Sequence, residues 1–378
     1  MSTRRAPQFG IIAVLAVLTG ATAPAVANAD VDHSDLSRDQ WAHELLDLEE
    51  AWEHGRGTGA RVALLDTGVD QTHPDLDSAI VDEVDVTGQD LDPDTAPLGR
   101  HGTLMAGLVA ARGHGEEHAG GVLGAAPEAG ILSVRTTTAQ DGSAESAEQD
   151  WVVSGIERAV SENAQVILLT GPATGSEAER EAIAEAHNRG VFVVVPGDGP
   201  HVATPNALSV NAVDEQQQLV SPEGATPNAE ASLAAPGQDV LTTDPDGGFT
   251  EASGTTAASA LAAGVAALIR AEYPQLRPDD VAEALQDGTT SPPANDEASD
   301  TGYGSGVLNA AAALEAAADS AEDVPPFDPS LAEEDTEDSP WLFWATVAAG
   351  AAFIVLAALL VFRLARGRRG GTRRARRR

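Results

Sequence analysis

A carboxylate, an imidazole and a hydroxyl stand in three short segments of the chain, and together they could break an acyl bond. Asp66 lies in an Asp-Thr-Gly segment, His101 in a His-Gly-Thr segment and Thr256 in a Gly-Thr-Thr-Ala segment. In acyl transfer of this kind a carboxylate orients an imidazole, and the imidazole takes the proton of an attacking hydroxyl. The three segments are therefore candidates for one nucleophilic site.

The elements that must position these groups alternate along the chain. Apolar runs predict strands at Val62–Leu65, Ile131–Val134, Val166–Leu169, Val191–Val195 and Leu208–Val213, and amphipathic stretches predict helices at residues 102–112, 151–163, 177–189 and 256–272. Apolar strands alternating with helices indicate an α/β fold, in which helices cover both faces of a parallel sheet. Reactive groups in such folds collect at carboxyl ends of strands and at helix N-termini, where all three candidates lie.

Each segment alone admits another interpretation. Asp-Thr-Gly also occurs in aspartic proteases, but these need a second carboxylate site, and residues 169–171 read Leu-Thr-Gly. His-Gly-Thr is equally unspecific by itself. Their order along the chain, each in a suitable strand or helix context, favours the acyl-transfer site.

With these motifs the chain resembles the subtilisin family of serine peptidases, the subtilases, from about Gln40 to Leu314. Within that family it is similar to the mycosins, membrane-anchored subtilases of type VII secretion systems. The segments that carry the resemblance are Gln40-Trp41, Ala51-Trp52, Gly57-Thr-Gly59, Asp66-Thr-Gly68, His73-Pro-Asp-Leu76, His101-Gly-Thr103, Gly124-Ala-Ala-Pro127, Ala235-Pro-Gly237 and Gly254-Thr-Thr256. The resemblance implies a subtilisin-like three-layer fold, a protein or peptide substrate, Asp66 as orienting group, His101 as base, and a structural role for His73.

The resemblance also exposes a departure at the nucleophile. The family has serine where this chain has Thr256, and the added methyl restricts χ1 and adds bulk beside the reacting carbonyl. Threonine nucleophiles are generally N-terminal residues whose own amine serves as the base. The neighbouring Ser253 and Ser259 are interpreted as structural. The nucleophile position is therefore expected to be degenerate.

Asp198 is a second departure. After the strand at Val191–Val195 the family has Gly-Asn, whose amide donates to the oxyanion, whereas this chain has Gly197-Asp198. An ionised carboxylate cannot donate a hydrogen bond and repels the developing negative charge. Pro196 also removes a backbone donor, and Thr170-Gly-Pro replaces the usual Ser-Leu-Gly. These changes together indicate relaxed catalytic demand.

The N-terminal residues 1–29 predict export. They contain Arg4 and Arg5, a short apolar stretch, and Ala27-Asn-Ala29 as a cleavage site, which is the layout of a secretory signal peptide. An N-terminal membrane anchor is the alternative, which the shortness of the apolar stretch disfavours. Residues 30–314 are then expected to form the peptidase domain with an N-terminal lead-in.

The C-terminal part predicts a single-pass membrane protein. Residues 315–340 are rich in acids and prolines and are expected to form an extended linker. Residues 341–364 are apolar enough for one transmembrane helix, against the alternative of a buried soluble helix. The arginine-rich residues 365–378 are expected in the cytoplasm, which places the peptidase domain outside it.

Composition limits the partners. The net charge is −37 at pH 7, and all 59 acidic residues lie between the two apolar ends. Such a surface repels nucleic acid and anionic head groups, so no nucleic-acid partner is expected. The chain has no cysteine, so its core is expected to suffice without disulfides. No cofactor is predicted. The sequence shows no residue spacing typical of calcium ligands, and it leaves open whether structural calcium is bound.

Three functions follow from these observations. The leading hypothesis is a mycosin-like subtilase homologue that is catalytically inactive or impaired, serving as a scaffold or peptide-binding component with type VII secretion membrane proteins as partners. The alternative is an active serine-type endopeptidase that uses Thr256, His101 and Asp66 on a specific exported substrate. A surface-adhesion module is the third.

Overall fold

The computed structural model describes residues 40–88, 99–115, 120–137, 149–171, 173–220, 227–292 and 302–324. The predicted signal peptide 1–29, membrane span 341–364 and tail 365–378 lie outside these ranges, and so does the predicted linker from residue 325 onward. Within these ranges, no helix has the length and apolar character needed to cross a membrane.

One mainly parallel sheet forms the centre of the described part. The strands are β1 Arg61–Asp66, β2 Ile80–Asp85, β3 Gly130–Arg135, β4 Val166–Leu169, β5 Phe192–Pro196, β6 Leu208–Val213, β7 Leu219–Val220, β8 Leu233–Pro236, β9 Val240–Asp244, β10 Gly248–Ala252, β11 Thr289–Thr290 and β12 Val307–Leu308. The sheet runs β11-β12-β8-β6-β5-β4-β1-β3-β2, with β7 beside β6, and β9 and β10 form a separate antiparallel hairpin. Within the described part of this sheet, only two strands pair antiparallel: β7 with β6 and β11 with β12. The predicted α/β class is confirmed.

Helices cover both faces of the sheet. They are α1 Trp41–Leu46, α2 Leu48–His54, α3 Arg100–Ala110, α4 Gln149–Ser161, α5 Glu177–Asn188, α6 Thr255–Glu272, α7 Pro278–Asp287 and α8 Ala310–Asp323. Successive residues of β1 divide between two cores: Val62 and Leu64 pack with α3 and α6, and Ala63 and Leu65 pack with α4 and α5. Side chains of a strand alternate between its two faces, so a strand buried on both sides must be apolar throughout.

The N-terminal lead-in is a pair of short helices tied to the chain beyond α3. The side-chain amide of Gln40 forms two hydrogen bonds with the backbone of Leu123. It donates to the Leu123 carbonyl over 2.9 Å and accepts from the Leu123 N–H over 2.8 Å. The Trp52 indole donates to the Ala125 carbonyl over 2.9 Å. The lead-in therefore consists of α1 and α2, and side-chain bonds to the backbone fix where they dock.

The C-terminal helix α8 corrects one predicted boundary. The linker was expected to start at Glu315, but α8 continues to Asp323. Asn309 caps its N-terminus by accepting from the Ala312 N–H over 2.8 Å, and Leu314 and Ala317 are buried in the main core. Alanine has the highest helix propensity but adds little hydrophobic contrast, so the amphipathic pattern that predicts helices is weak in this segment.

Candidate active site

The four candidate side chains lie at one edge of the sheet. Asp66 is the last residue of β1, and Asp198 follows β5 after one glycine. His101 is the second residue of α3 and Thr256 the second residue of α6. Parallel strands present their carboxyl ends on the same side, so the strand ends and helix starts converge there.

Asp66 and His101 form a buried ion-pair geometry. The Nδ1 atom of His101 lies 2.8 Å from Oδ2 and 3.0 Å from Oδ1 of Asp66, whose side chain is 1% exposed. A carboxylate accepts, so Nδ1 carries the proton and the lone pair of the neutral ring is on Nε2. The geometry therefore selects the tautomer that a general base requires.

One backbone N–H and one hydroxyl donate further hydrogen bonds to the Asp66 carboxylate. The Thr67 N–H reaches Oδ1 over 2.6 Å, and the Thr170 hydroxyl donates to Oδ2 over 2.6 Å. Burial raises the pKa of Asp66, but the His101 imidazole and the bonds from Thr170 and a backbone N–H outweigh it, so the net pKa is lowered. The carboxylate is therefore held ionised beside His101.

Close packing at Gly102 sets the position of His101. A Cβ atom at Gly102 would lie 2.2 Å from the Gly68 carbonyl oxygen, so any larger residue would push α3 away from β1. The Gly102 N–H donates to the Thr67 hydroxyl over 3.0 Å. The glycine after the histidine is thus required by the approach of α3 to the Asp66 turn.

Two threonine hydroxyls fasten α3 to the β9–β10 hairpin. Thr242 donates to the Leu104 carbonyl and Thr243 to the Thr103 carbonyl, each over 2.8 Å. The hairpin leads directly into α6, so these bonds relate the His101 helix to the Thr256 helix. The sequence pattern did not indicate this hairpin, because its strands are short and only partly apolar.

Helix α6 starts at a turn that requires glycine. Gly254 is its N-cap with φ of +117°, a backbone conformation that side-chain-bearing residues rarely adopt. Thr256 is partly exposed at the site. Ser259 donates to the Thr255 carbonyl over 2.7 Å, and the Ser253 hydroxyl donates to Asp239 over 2.9 Å. These contacts agree with structural roles for both serines.

The exposed Asp198 carboxylate is hydrogen-bonded to the start of α6. It accepts a bond from the hydroxyl of Thr255, the first residue of that helix. A helix N-terminus favours negative charge, and α6 is 18 residues long. The carboxylate thus occupies an anion-favouring position next to Thr256.

Residues 57–306 match the profile of the Subtilase family of peptidases. The chain belongs to the subtilase family. It is 33% identical over 243 residues to the intracellular serine protease of Paenibacillus polymyxa, covering 60% of this chain and 71% of that protein. It is 32% identical over 244 residues to the major intracellular serine protease of Bacillus subtilis (strain 168), covering 60% and 73%. It is 31% identical over 247 residues to thermitase of Thermoactinomyces vulgaris, covering 63% and 84%.

Among these subtilase features, His73 is placed as a structural residue. It is buried, its Nδ1 accepts from the Asp75 N–H over 3.1 Å, and its Nε2 donates to the Gly248 carbonyl over 2.8 Å. Both ring nitrogens therefore serve the backbone. The described residues contain no group of three or more His, Asp or Glu side chains placed to hold a metal ion.

Thr170 has a role at the site that was not predicted from the sequence. Its partner is Asp66, and β1 and β4 pair in parallel with Leu65 opposite Leu169. Each of the two residues is the first polar one after an apolar run, so a parallel pairing in that register would have predicted their contact. That register was the signal available in the sequence.

Proposed function

We propose that this subtilase is a membrane-anchored, peptide-binding component of a secretion apparatus whose peptidase activity is lost or strongly reduced. The observation that carries the proposal is the Asp198 carboxylate, which is bonded to Thr255, the residue before Thr256, at the start of α6. The membrane anchor and the type VII secretion partners rest on the mycosin-like sequence layout.

Asp198 opposes acyl transfer in two ways. A tetrahedral intermediate carries an oxyanion, which hydrogen-bond donors must stabilise, and a carboxylate offers only acceptors. The same carboxylate also accepts the hydrogen bond of the Thr255 hydroxyl. That hydroxyl, at the start of the helix, is therefore not available as a donor to the oxyanion. Removal of one oxyanion donor costs subtilisin about 10²–10³ in turnover.

Thr256 weakens the nucleophile itself. Threonine is β-branched, which restricts χ1, and its methyl adds bulk where the acyl carbonyl must approach. In subtilisin, removing the nucleophile costs about 2 × 10⁶ in turnover, and effects within one catalytic unit do not add. Because Thr256 retains a hydroxyl, its effect on turnover is expected to be smaller than that of removing the nucleophile. The Asp198 carboxylate destabilises the same transition state.

An active endopeptidase is the second candidate, and one observation favours it. His101 keeps the Nδ1 bond to buried Asp66 that orients a general base. Thr256 would then attack with Nε2 of His101 as base and Asp66 as the orienting group. The substrate would be a protein or peptide, as for the family.

Fluorophosphonate labelling of the full-length chain separates the two candidates. We expect no covalent adduct on Thr256, because its β-methyl adds bulk at the point of attack and the Asp198 carboxylate offers no donor to the oxyanion. His101→Ala is the control, since it removes the base and leaves Thr256 in place. Labelling of the wild-type chain that disappears in His101→Ala would overturn the proposal in favour of the endopeptidase.

The orientation in the membrane has its own expected result. Residues 341–364 are proposed to cross the bilayer with the arginines of 365–378 on the cytoplasmic side, because basic flanks stay there. Protease added to intact cells should therefore degrade the peptidase domain and spare an epitope placed on the tail. A tail that is digested while the domain survives would refute this orientation.

A further inference from the structure

Glu179 is a buried carboxylate in the first turn of α5 that gathers hydrogen bonds from the preceding loop. It is 0% exposed. It accepts from the Thr174 hydroxyl over 2.8 Å, the Gly175 N–H over 2.7 Å and the Ser176 N–H over 3.3 Å. A carboxylate is tolerated in the interior only when donors replace its water. Residues 170, 171 and 173–176 are here named the β4 loop, and its last three residues bond to this one side chain.

His201 brings a second loop to the same carboxylate. It belongs to residues 197–204, here named the β5 loop, and is 2% exposed. Its Nε2 atom donates to Oε2 of Glu179 over 3.0 Å, and its Nδ1 atom lies 3.2 Å from the Thr204 hydroxyl. The carboxylate can only accept, so Nε2 carries the proton. The two loops are thus joined inside the protein through the Glu179 carboxylate, which accepts hydrogen bonds from both of them.

The two loops approach as closely as a glycine allows. Gly175 has φ of +67°, and a Cβ atom there would lie 2.8 Å from Cβ of Pro200 and 3.1 Å from its carbonyl oxygen. Both the positive φ and the missing Cβ are therefore needed for the contact. Glu179 and His201 lie beside this contact and hold it together.

Each loop also carries one polar group of the candidate active site. The β4 loop begins with Thr170, whose hydroxyl donates to Asp66. The β5 loop contains Asp198, which is bonded to Thr255 at the start of α6. Through these two bonds the β4 loop contacts the Asp66 side of the site and the β5 loop contacts the α6 side.

We infer that Glu179 and His201 are positioning residues that fix the β4 and β5 loops relative to each other and so hold Thr170 and Asp198 in place at the peptide-binding site. The inference rests on the proposed function in that it assigns this site to peptide binding. Although carboxylate, imidazole and the Thr204 hydroxyl stand in catalytic order, their burial prevents contact with substrate. They act through Thr170 and Asp198.

A purely structural pair would change only the stability of the fold. The test therefore compares His201→Leu, which removes the donor to Glu179, with His201→Gln, whose amide can still donate. The matched control is His187→Gln, because His187 forms a 2.9 Å bond with Asp279 away from these loops. Full-length chains are studied in detergent, well below the melting temperature of each.

Two measurements report on the site without requiring catalysis. Hydrogen exchange followed by mass spectrometry measures residues 173–176 and 197–204, and proton NMR follows the Nδ1–H of His101 in its bond to Asp66. In His201→Leu we expect exchange in both loops to rise by at least about tenfold and the His101 signal to shift or broaden. His201→Gln and His187→Gln should leave both measurements close to those of the wild type.

The inference is overturned if His201→Leu leaves the β5 loop and the His101 signal unchanged. If His201→Leu does not fold, Glu179→Gln is measured in its place, because it retains the side-chain shape and loses the charge. Fluorophosphonate labelling of the wild type tests the proposed function separately, so failure of one does not imply failure of the other.

Discussion

Replacing Thr256 by serine and Asp198 by asparagine together should raise the rate of fluorophosphonate labelling by at least about 10²-fold over the wild type. Serine lacks the β-methyl, so χ1 is less restricted and the reacting carbonyl meets less bulk. Asparagine supplies a hydrogen-bond donor in place of a carboxylate that repels the oxyanion. Being neutral, it also holds the Thr255 hydroxyl less strongly than the carboxylate does. The labelling rate of the full-length double variant, measured beside each single variant, checks this result.

The single variants should fall well short of the double variant. Serine alone would still face the Asp198 carboxylate, and asparagine alone would still lack a suitable nucleophile, so the two changes are expected to be strongly non-additive. Adding His101→Ala to the double variant should return labelling to the wild-type level, because the base would be lost.

Asp239→Asn is a matched control for the loss of one negative charge. Asp239 is another exposed carboxylate bonded to a hydroxyl close to the start of α6, since Ser253 donates to it over 2.9 Å. Combined with Thr256→Ser, this substitution removes the charge but adds no donor at the oxyanion position, so it should not accelerate labelling. Equal acceleration by Asp239→Asn and Asp198→Asn would contradict the assigned role of Asp198.

Short-range pattern was enough to predict the strands that carry the site. Val62–Leu65 and Val166–Leu169 are apolar at every position because β1 and β4 are buried on both faces. Asp66 then follows as the first polar residue, and the sheet brings it to the edge shared with His101 and Thr256. The α/β fold and the meeting of these segments therefore follow from local sequence once the strands are parallel.

Contacts between distant loops could not be predicted in this way. Glu179 lies on a stretch whose charged residues read as an ordinary solvent-exposed helix face, yet it is fully buried. Its burial depends on donors from the β4 loop and on His201, 22 positions further along the chain. No periodicity encodes such a pairing, because it depends on how two loops close over each other.

The hairpin and the last helix were missed for different reasons. Strands β9 and β10 are short, and Thr242 and Thr243 of β9 donate hydrogen bonds to carbonyls of α3. Helix α8 is largely alanine, so it lacks the contrast between faces that identifies an amphipathic helix. Both elements are specified by packing against partners that are remote in sequence.

Acid should destabilise the fold in two steps, the first of which belongs to His43. Burial lowers the pKa of His43 to about 4 from 6.5, and the Arg56 charge acts in the same direction, against a bond to the Leu123 carbonyl. Below pH 6.5 His43 is protonated in the unfolded chain but still neutral in the folded chain. Its contribution to the free energy of unfolding is therefore complete above pH 6.5 and is lost as the pH falls to about 4. The 2.5-unit difference corresponds to about 3 kcal/mol.

The second step, at lower pH, comes from carboxyl groups whose pKa the fold lowers, which include Asp66 and Glu179. Burial raises the pKa of Glu179, but the bonds from His201 and Thr174 outweigh burial and lower the pKa to about 2 from 4.5. The unfolded carboxyl is protonated first, so this contribution is present above pH 4.5 and is lost as the pH falls towards 2. It is also about 3 kcal/mol in size.

Urea denaturation as a function of pH separates these steps from the titration of the surface. The acidic surface repels itself less as it is protonated, which opposes both losses, so the informative quantity is the difference between variant and wild type. In His43→Gln the decline between pH 6.5 and 4 should be reduced while the decline below 4.5 remains. Glu179→Gln should keep the decline between pH 6.5 and 4 and should reduce the decline below 4.5, of which Asp66 retains a part. Parallel stability curves for His43→Gln and the wild type would refute the assignment, because a side chain that cannot take a proton cannot contribute that loss.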